Sequence, residues 1–335
     1  MKVLFDHQYP FLLMHGGLQI QIEQSKAALE AIGVNVEFLR WWDDAQSGDI
    51  IHFFGRPGLN YVNSSHKKGI KIVMLQLLTG LGSRAGWARH LQKVVMNFSK
   101  KISPNVIGGY LAWDSYRLAD ACIANTALEK YLMTDMFGAP PEKVHVVPNG
   151  VEDIFFNSPP VERGPWLVCT ATITERKRVL ELAQAAVQAQ TPVWIVGKAY
   201  SESDAYARRF EEFAQLHPKF VRYEGAINDR KRMAEVYRSA RGFVLLSTKE
   251  TRSLSSEEAA ACECPLLLSD LPWARSVFQA QASYCPVTGS AGQIAPVLRN
   301  FYENAPALPR PPKPKSWIEV ARQFHSVYEQ VLTNP

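Results

Sequence analysis

Glu250 and Glu258 stand eight residues apart within GFVLLSTKETRSLSSEEAAACECPLLLSD, residues 242–270. GFVLLS is an apolar run suited to a buried parallel strand, TKETRSLS is polar loop, SEEAAAC opens a helix, and PLLLSD is a second buried strand. In an open parallel sheet such a unit places its loop at the carboxyl ends of the strands. Ligands collect at that rim, and the N-terminus of the following helix favours anions such as phosphate. Two plainer readings stand beside this one. Ser255 with Glu258 three residues later fits a capping box, and Glu250 taken alone is an ordinary loop carboxylate.

The E-x7-E spacing followed by AAACECP resembles the donor-site signature of the retaining GT-B glycosyltransferases of the glycosyltransferase family 4 type. The resemblance recurs in order along the chain. HGGLQIQIEQSKAALEAIGVNVEFL is similar to the glycine turn and first helix of such enzymes, and KVHVVPNGVEDIFF to the end of their first domain. ERKRVLELAQAA is similar to the segment with the phosphate-binding lysine, and SWIEVARQFHSVYEQVL to the terminal helix. The resemblance implies an α/β chain of the GT-B class. Two Rossmann-like domains would face each other across a cleft holding the active site, with the C-terminal helix crossing back to the N-terminal domain. It also implies retaining transfer of a sugar from a nucleotide-diphosphate sugar, UDP- or GDP-linked, to a glycan or lipid-linked acceptor, without a metal or other cofactor.

Carried over residue by residue, the resemblance makes Lys177 the phosphate contact and, with Glu250, the catalytic pair. Glu258 would accept hydrogen bonds from the ribose hydroxyls, Glu250 would face the donor sugar, and the backbone N–H groups of Thr251, Arg252, Ser253 and Leu254 would hold phosphates and sugar. Thr172 and Gly225 complete the donor side. The chain departs from the pattern in several places. Thr172 occupies the position of the usual arginine, so Arg176, Arg178 or Arg252 would supply the second cation. E-T-R-S replaces E-G-F-G, and Glu263 stands where glycine is common. On the acceptor side Gly16 and Gly17 permit close backbone approach, His15 lies beside them, and Gln76 takes the place of a histidine and cannot exchange protons. Asn149 and His52 read as scaffold or cleft lining.

The elements that position these residues alternate as strand and helix throughout. KVLFDH, VNVEFL, DIIHFF, KIVMLQ, ACIANT and KVHVVP are strands of the first half; WLVCTATI, PVWIVGK, VRYEGAI, GFVLLS, PLLLSD and SYCPV are strands of the second. Helices are expected over residues 21–31 and 127–136. The proline- and glycine-punctuated segment 157–165 divides the chain, giving an acceptor domain over 1–157, a donor domain over 158–312 and a terminal helical segment over 313–335.

A chain of 335 residues with 47% hydrophobic content suits two cores. The net charge of +5 is spread along the chain, so no nucleic-acid partner is implied. Five cysteines without a leader point to a reducing, cytoplasmic setting, and a lone C-x-C is no zinc site. Residues 83–102 set Trp87, Leu91, Val94, Val95 and Phe98 against Arg84, Arg89, Lys93, Lys100 and Lys101. That pattern reads either as a core-facing helix with a solvated basic face or as peripheral contact with an anionic membrane. Oligomeric state is not encoded. A non-hydrolysing nucleotide-sugar epimerase and a non-catalytic GT-B scaffold are the alternative functions.

Overall fold

A computed structural model of the chain describes residues 1–13, 16–84, 86–102, 112–157, 161–201 and 203–333. These form two units, Met1–Gly150 with Lys315–Pro335, and Val151–Pro314.

The first unit contains β1 (Lys2–His7), β2 (Asn35–Phe38), β3 (Ile50–Phe54), β4 (Lys71–Leu75), β5 (Ala121–Ala124) and β6 (Val144–Val146). They form one parallel sheet in the order β2-β1-β3-β4-β5-β6. β3 and β5 are buried along their whole length, as parallel strands covered on both faces must be. The order reverses between β1 and β3, where Phe5 stands opposite His52.

The terminal helix, Trp317–Thr333, belongs to this unit. It buries Val320, Ala321, Phe324, Val327, Tyr328 and Val331 on one face and packs against the helix Gly17–Ala31 and β4. The Tyr328 hydroxyl and His52 Nδ1 share a hydrogen bond of 2.6 Å. Burial takes the His52 imidazole down to a pKa of about 3, so it is neutral. His52 is therefore an internal strut. A Cβ on Gly150 would lie 2.7 Å from the Trp317 Cα, so the Pro-Asn-Gly turn needs glycine there for close backbone approach.

The second unit contains β7 (Leu167–Thr170), β8 (Val193–Val196), β9 (Val221–Tyr223), β10 (Gly242–Leu245), β11 (Leu266–Ser269) and β12 (Ser283–Cys285), parallel in the order β12-β11-β10-β7-β8-β9. Successive strand residues feed opposite cores. Leu167, Cys169, Val193 and Ile195 pack with the helices Val179–Gln188 and Ala291–Asn304, whereas Val168, Trp194, Phe243 and Leu245 pack with the helices Arg230–Ser239 and Leu254–Ala261. The order reverses between β7 and β10.

Two expectations need correction. The first unit ends at Gly150 rather than Asn157, because Val151 and Phe155 are buried in the second unit's core and Arg238 donates to the carbonyls of Ile154 and Phe155. The chain re-enters the first unit at Lys315. The second correction concerns the basic segment, which forms the helix Gly86–Ile102. Its apolar residues are not core-facing: Trp87, Leu91, Val94, Val95 and Phe98 are exposed. Met96, by contrast, is buried, and Lys93 pairs with Asp135 at 2.6 Å.

Candidate functional site

In the second unit, the loops leaving β7 and β10 stand side by side at the point where strand order reverses, the usual ligand position of an open α/β sheet. The first loop makes a 3-10 turn at Glu175–Lys177 and enters the helix Val179–Gln188 through Arg178, whose φ of 55° is left-handed. The second loop runs to Ser253 and the helix Leu254–Ala261. Thr248 N–H donates to the Arg176 carbonyl at 2.8 Å, stitching them together.

That stitch brings three charged side chains to one place. Lys177 Nζ is paired with Glu250 Oε1, and Arg176 Nη1 reaches the same oxygen at 2.8 Å while also donating to the Lys249 carbonyl. Burial alone would raise the Glu250 carboxyl, but Lys177 and then Arg176 bring it below the ordinary carboxylate range. The cluster carries one net positive charge. Lys177 and Glu250 side chains are 11% and 12% exposed, so the pair is largely desolvated.

Glu258 is held separately. Its Oε1 is paired with Arg230, and Oε2 accepts from the Tyr237 hydroxyl at 3.0 Å, which is itself 2.6 Å from Thr170 Oγ1 at the end of β7. Arg230 also pairs with Glu152. Burial outweighs the opposing Arg230 charge and raises the Glu258 carboxyl. The capping-box reading does not hold, because Ser253, not Ser255, is the N-cap and Glu258 lies inside the helix.

Of the proposed second cations, Arg178 donates to the carbonyls of Val287 and Gly289. Arg252 forms an ion pair with buried Glu257 at 2.8 Å. Arg176 is the one that shares Glu250 with Lys177. Thr251 and Ser253 are buried, Leu254 begins the helix, and Thr172 is half-buried in the loop after β7. Gly225, with φ 77°, accepts from Gly197 N–H at 2.7 Å. Gly197 itself has no alternative, since a Cβ there would fall 1.8 Å from the Ala171 carbonyl oxygen.

In the first unit, Gly16, Gln76 and Asn149 all follow the carboxyl ends of strands. Gly16 has φ 123° and precedes the helix that Gly17 begins. Gln76 donates to the Leu77 carbonyl at 3.0 Å, and Asn125 Nδ2 donates to Asn149 Oδ1 at 3.4 Å. Buried Glu129 ties this rim together, accepting from the N–H groups of Leu78 and Asn125, both at 2.8 Å. His15 lies outside the described residues.

Arg230, Tyr237 and Arg163 are the residues that sequence reasoning passed over. Arg230 and Tyr237 are two helical turns apart in DRKRMAEVYRSA and so share a face, a signal that periodicity carried. Arg163 carried none. Within the linker-like VERGP it donates to the carbonyls of Tyr237, Arg238, Ala240, Cys262 and Glu263, closing the C-terminal ends of both helices that hold the Glu258 network.

Residues 164–304 match the family model described as Glycosyl transferases group 1. The match covers about two fifths of the chain and falls within the second unit. Curated protein sequences yield no match to the chain. Similar solved structures extend over its full length. HepE from Anabaena in complex with UDP superposes with a TM-score of 0.68 at 14% identity, covering 98% of this chain and 100% of that one. Sucrose-phosphate synthase from Thermosynechococcus elongatus gives 0.67 at 16% identity, covering 100% and 99%. The lipopolysaccharide outer core galactosyltransferase WaaB in apo form gives 0.63 at 15%, covering 98% and 99%. At these identities the likeness is one of fold, and the fold is GT-B. The matched residues 164–304 include Lys177, Arg176, Glu250, Glu258, Arg230 and Tyr237, while Glu152 and Arg163 of the same network lie just before them.

Proposed function

We propose that the protein is a retaining glycosyltransferase that takes a sugar from a UDP- or GDP-linked donor held by the second unit. The observation that carries this reading is the meeting of Lys177, Arg176 and Glu250 from two loops that flank the strand-order reversal. A diphosphate needs cations and N–H groups where charge grows on the leaving group. Lys177 and Arg176 supply the first and the N-terminus of the helix Leu254–Ala261 supplies the second, with no metal required. Arg176 thereby takes the place that Thr172 leaves empty of charge. Glu258, set in its helix by Tyr237, accepts from the ribose hydroxyls, with Arg230 yielding one carboxylate oxygen as the nucleotide enters.

In the transfer step the acceptor hydroxyl attacks the anomeric carbon on the face from which the diphosphate departs. The bond from that carbon to the phosphate oxygen breaks, the glycosidic bond forms, and the hydroxyl proton passes to the departing phosphate oxygen. Gln76 has no proton to exchange and is not needed for it. Glu250 positions the donor sugar through its hydroxyls. The acceptor, a glycan or a lipid-linked sugar, is held by the first unit at Gly16 and Gly17.

HepE is solved with UDP and also with UDP-glucose, which makes uridine nucleotides the first ligands to try. Calorimetric titration with UDP, GDP and ADP, followed by product analysis with their sugar conjugates, tests the reading. One nucleotide should bind selectively, and Lys177→Ala and Arg176→Ala should each weaken it by about tenfold or more, the loss expected for a charge-assisted hydrogen bond. Glu250→Ala should lower sugar release more than nucleotide affinity. Unchanged affinity in both cation variants would sink the assignment.

A further inference from the structure

The helix Gly86–Ile102 is attached to its unit by the wrong side for a soluble protein. Trp87, Leu91, Val94, Val95, Phe98 and Ile102 are 75%, 58%, 52%, 55%, 64% and 65% exposed. At about 100° per residue they fall within roughly a third of the helix circumference, so they make one continuous apolar stripe. The opposite side is the anchored one, with Met96 in the unit's core and Lys93 paired with Asp135 at 2.6 Å. An amphipathic surface helix ordinarily turns its apolar face inward. A stripe of this extent, left outward on a charged helix, marks an interaction surface.

We propose that this helix docks the protein onto an anionic lipid membrane surface, lying in the plane of the interface with its apolar stripe among the acyl chains. Charge selects this occupant. From residue 86 to 102 the sequence carries Arg89, Lys93, Lys100 and Lys101 with His90 and no Asp or Glu; Lys93 is neutralised by Asp135 on the anchored side, whereas His90 and Lys101 border the stripe by helical position, and exposed Arg84 precedes it. Anionic headgroups complement that helix, whereas a second copy would bring two cationic helices together across an apolar seam. Trp87 stands at one end of the stripe, a side chain suited to the headgroup boundary. Among the described residues no helix is long and apolar enough to cross a membrane, so the contact is peripheral. It stands apart from the transferase reading, since it uses none of the donor-site residues.

The test is vesicle flotation of the full chain with phosphatidylcholine alone and with phosphatidylcholine containing phosphatidylglycerol. The protein should float with the anionic vesicles, less so at high salt, and the double variant Trp87→Ser, Phe98→Ser should lower the partition coefficient by about tenfold or more. Both side chains are exposed, so nucleotide titration and circular dichroism should be unchanged in that variant. Equal flotation of variant and parent would overturn the proposal, as would failure of the parent to float. Concentration-dependent dimerisation that the double substitution abolishes would overturn it in favour of a second copy.

Discussion

Glu250 and Glu258 share a motif but not an environment. Glu250 lies between two cations that take its pKa down, and Glu258 lies under burial that takes its pKa up despite Arg230. The sign of the consequence follows. A ribose contact that uses the Glu258 carboxylate is complete above its raised pKa and is lost as pH falls through it. Nucleotide affinity should therefore begin to fall while the pH is still above the ordinary carboxylate range. Glu258→Gln should abolish that acid limb, because an amide does not titrate. Calorimetry across pH with parent and variant checks it; an identical limb in both would assign the titration elsewhere. The motif spacing was legible in the sequence, but the opposite environments were not. They come from Lys177, Arg176, Arg230 and Tyr237, none of which lies in the motif.

At the scale of elements, the helix Leu254–Ala261 ends in a Schellman motif, with Cys264 N–H donating to Ala259 and Glu263 N–H to Ala260, both at 2.9 Å. Glu263 occupies the left-handed position with φ 54°. The resemblance had marked it as a departure from glycine, and the motif gives the physical reason glycine is common there. A side chain in that conformation costs about 1 kcal/mol, and its exposed pair with Arg310 at 2.9 Å returns about 0–1 kcal/mol. Glu263→Gly should thus leave stability unchanged or raise it by up to about 1 kcal/mol, read as an upward shift in thermal midpoint. A clear loss would mean that the Arg310 pair outweighs the backbone strain. Strand reading did well at this scale, since β-branched and apolar runs of the right length report buried parallel strands directly. Helix reading found an amphipathic helix over residues 83–102, observed as Gly86–Ile102, but left open which side of it is covered, because periodicity says which residues share a face and not which face is buried.

For the molecule as a whole, the first unit is completed by residues from the far end of the chain. Val320, Phe324, Val327 and Tyr328 lie buried in it, and His52 in β3 keeps its hydrogen bond only while Tyr328 is present. Tyr328→Phe should cost about 1–3 kcal/mol, the loss expected when a buried polar partner is left unsatisfied. Differential scanning calorimetry should show the loss in the transition of the first unit, with nucleotide affinity unaltered. A fall in nucleotide affinity equal to the fall in stability would contradict the assignment of His52 as a strut.

The sequence by itself determined the alternation that makes two Rossmann-like sheets, their strands among the described residues, the E-x7-E spacing and the place of Lys177 within ERKR. These are local patterns, written in hydrophobic period and in neighbouring residue types. The tertiary structure decided which cation joins Lys177, where the first unit ends, and which way the basic helix turns. Each of these depends on pairing distant segments: Lys177 meets Glu250 across 73 residues because β7 lies beside β10. Phe155 leaves the first unit because the second unit's core has a place for it. Burial is a property of what surrounds a side chain, and a linear pattern holds only the side chain's own half of that contact.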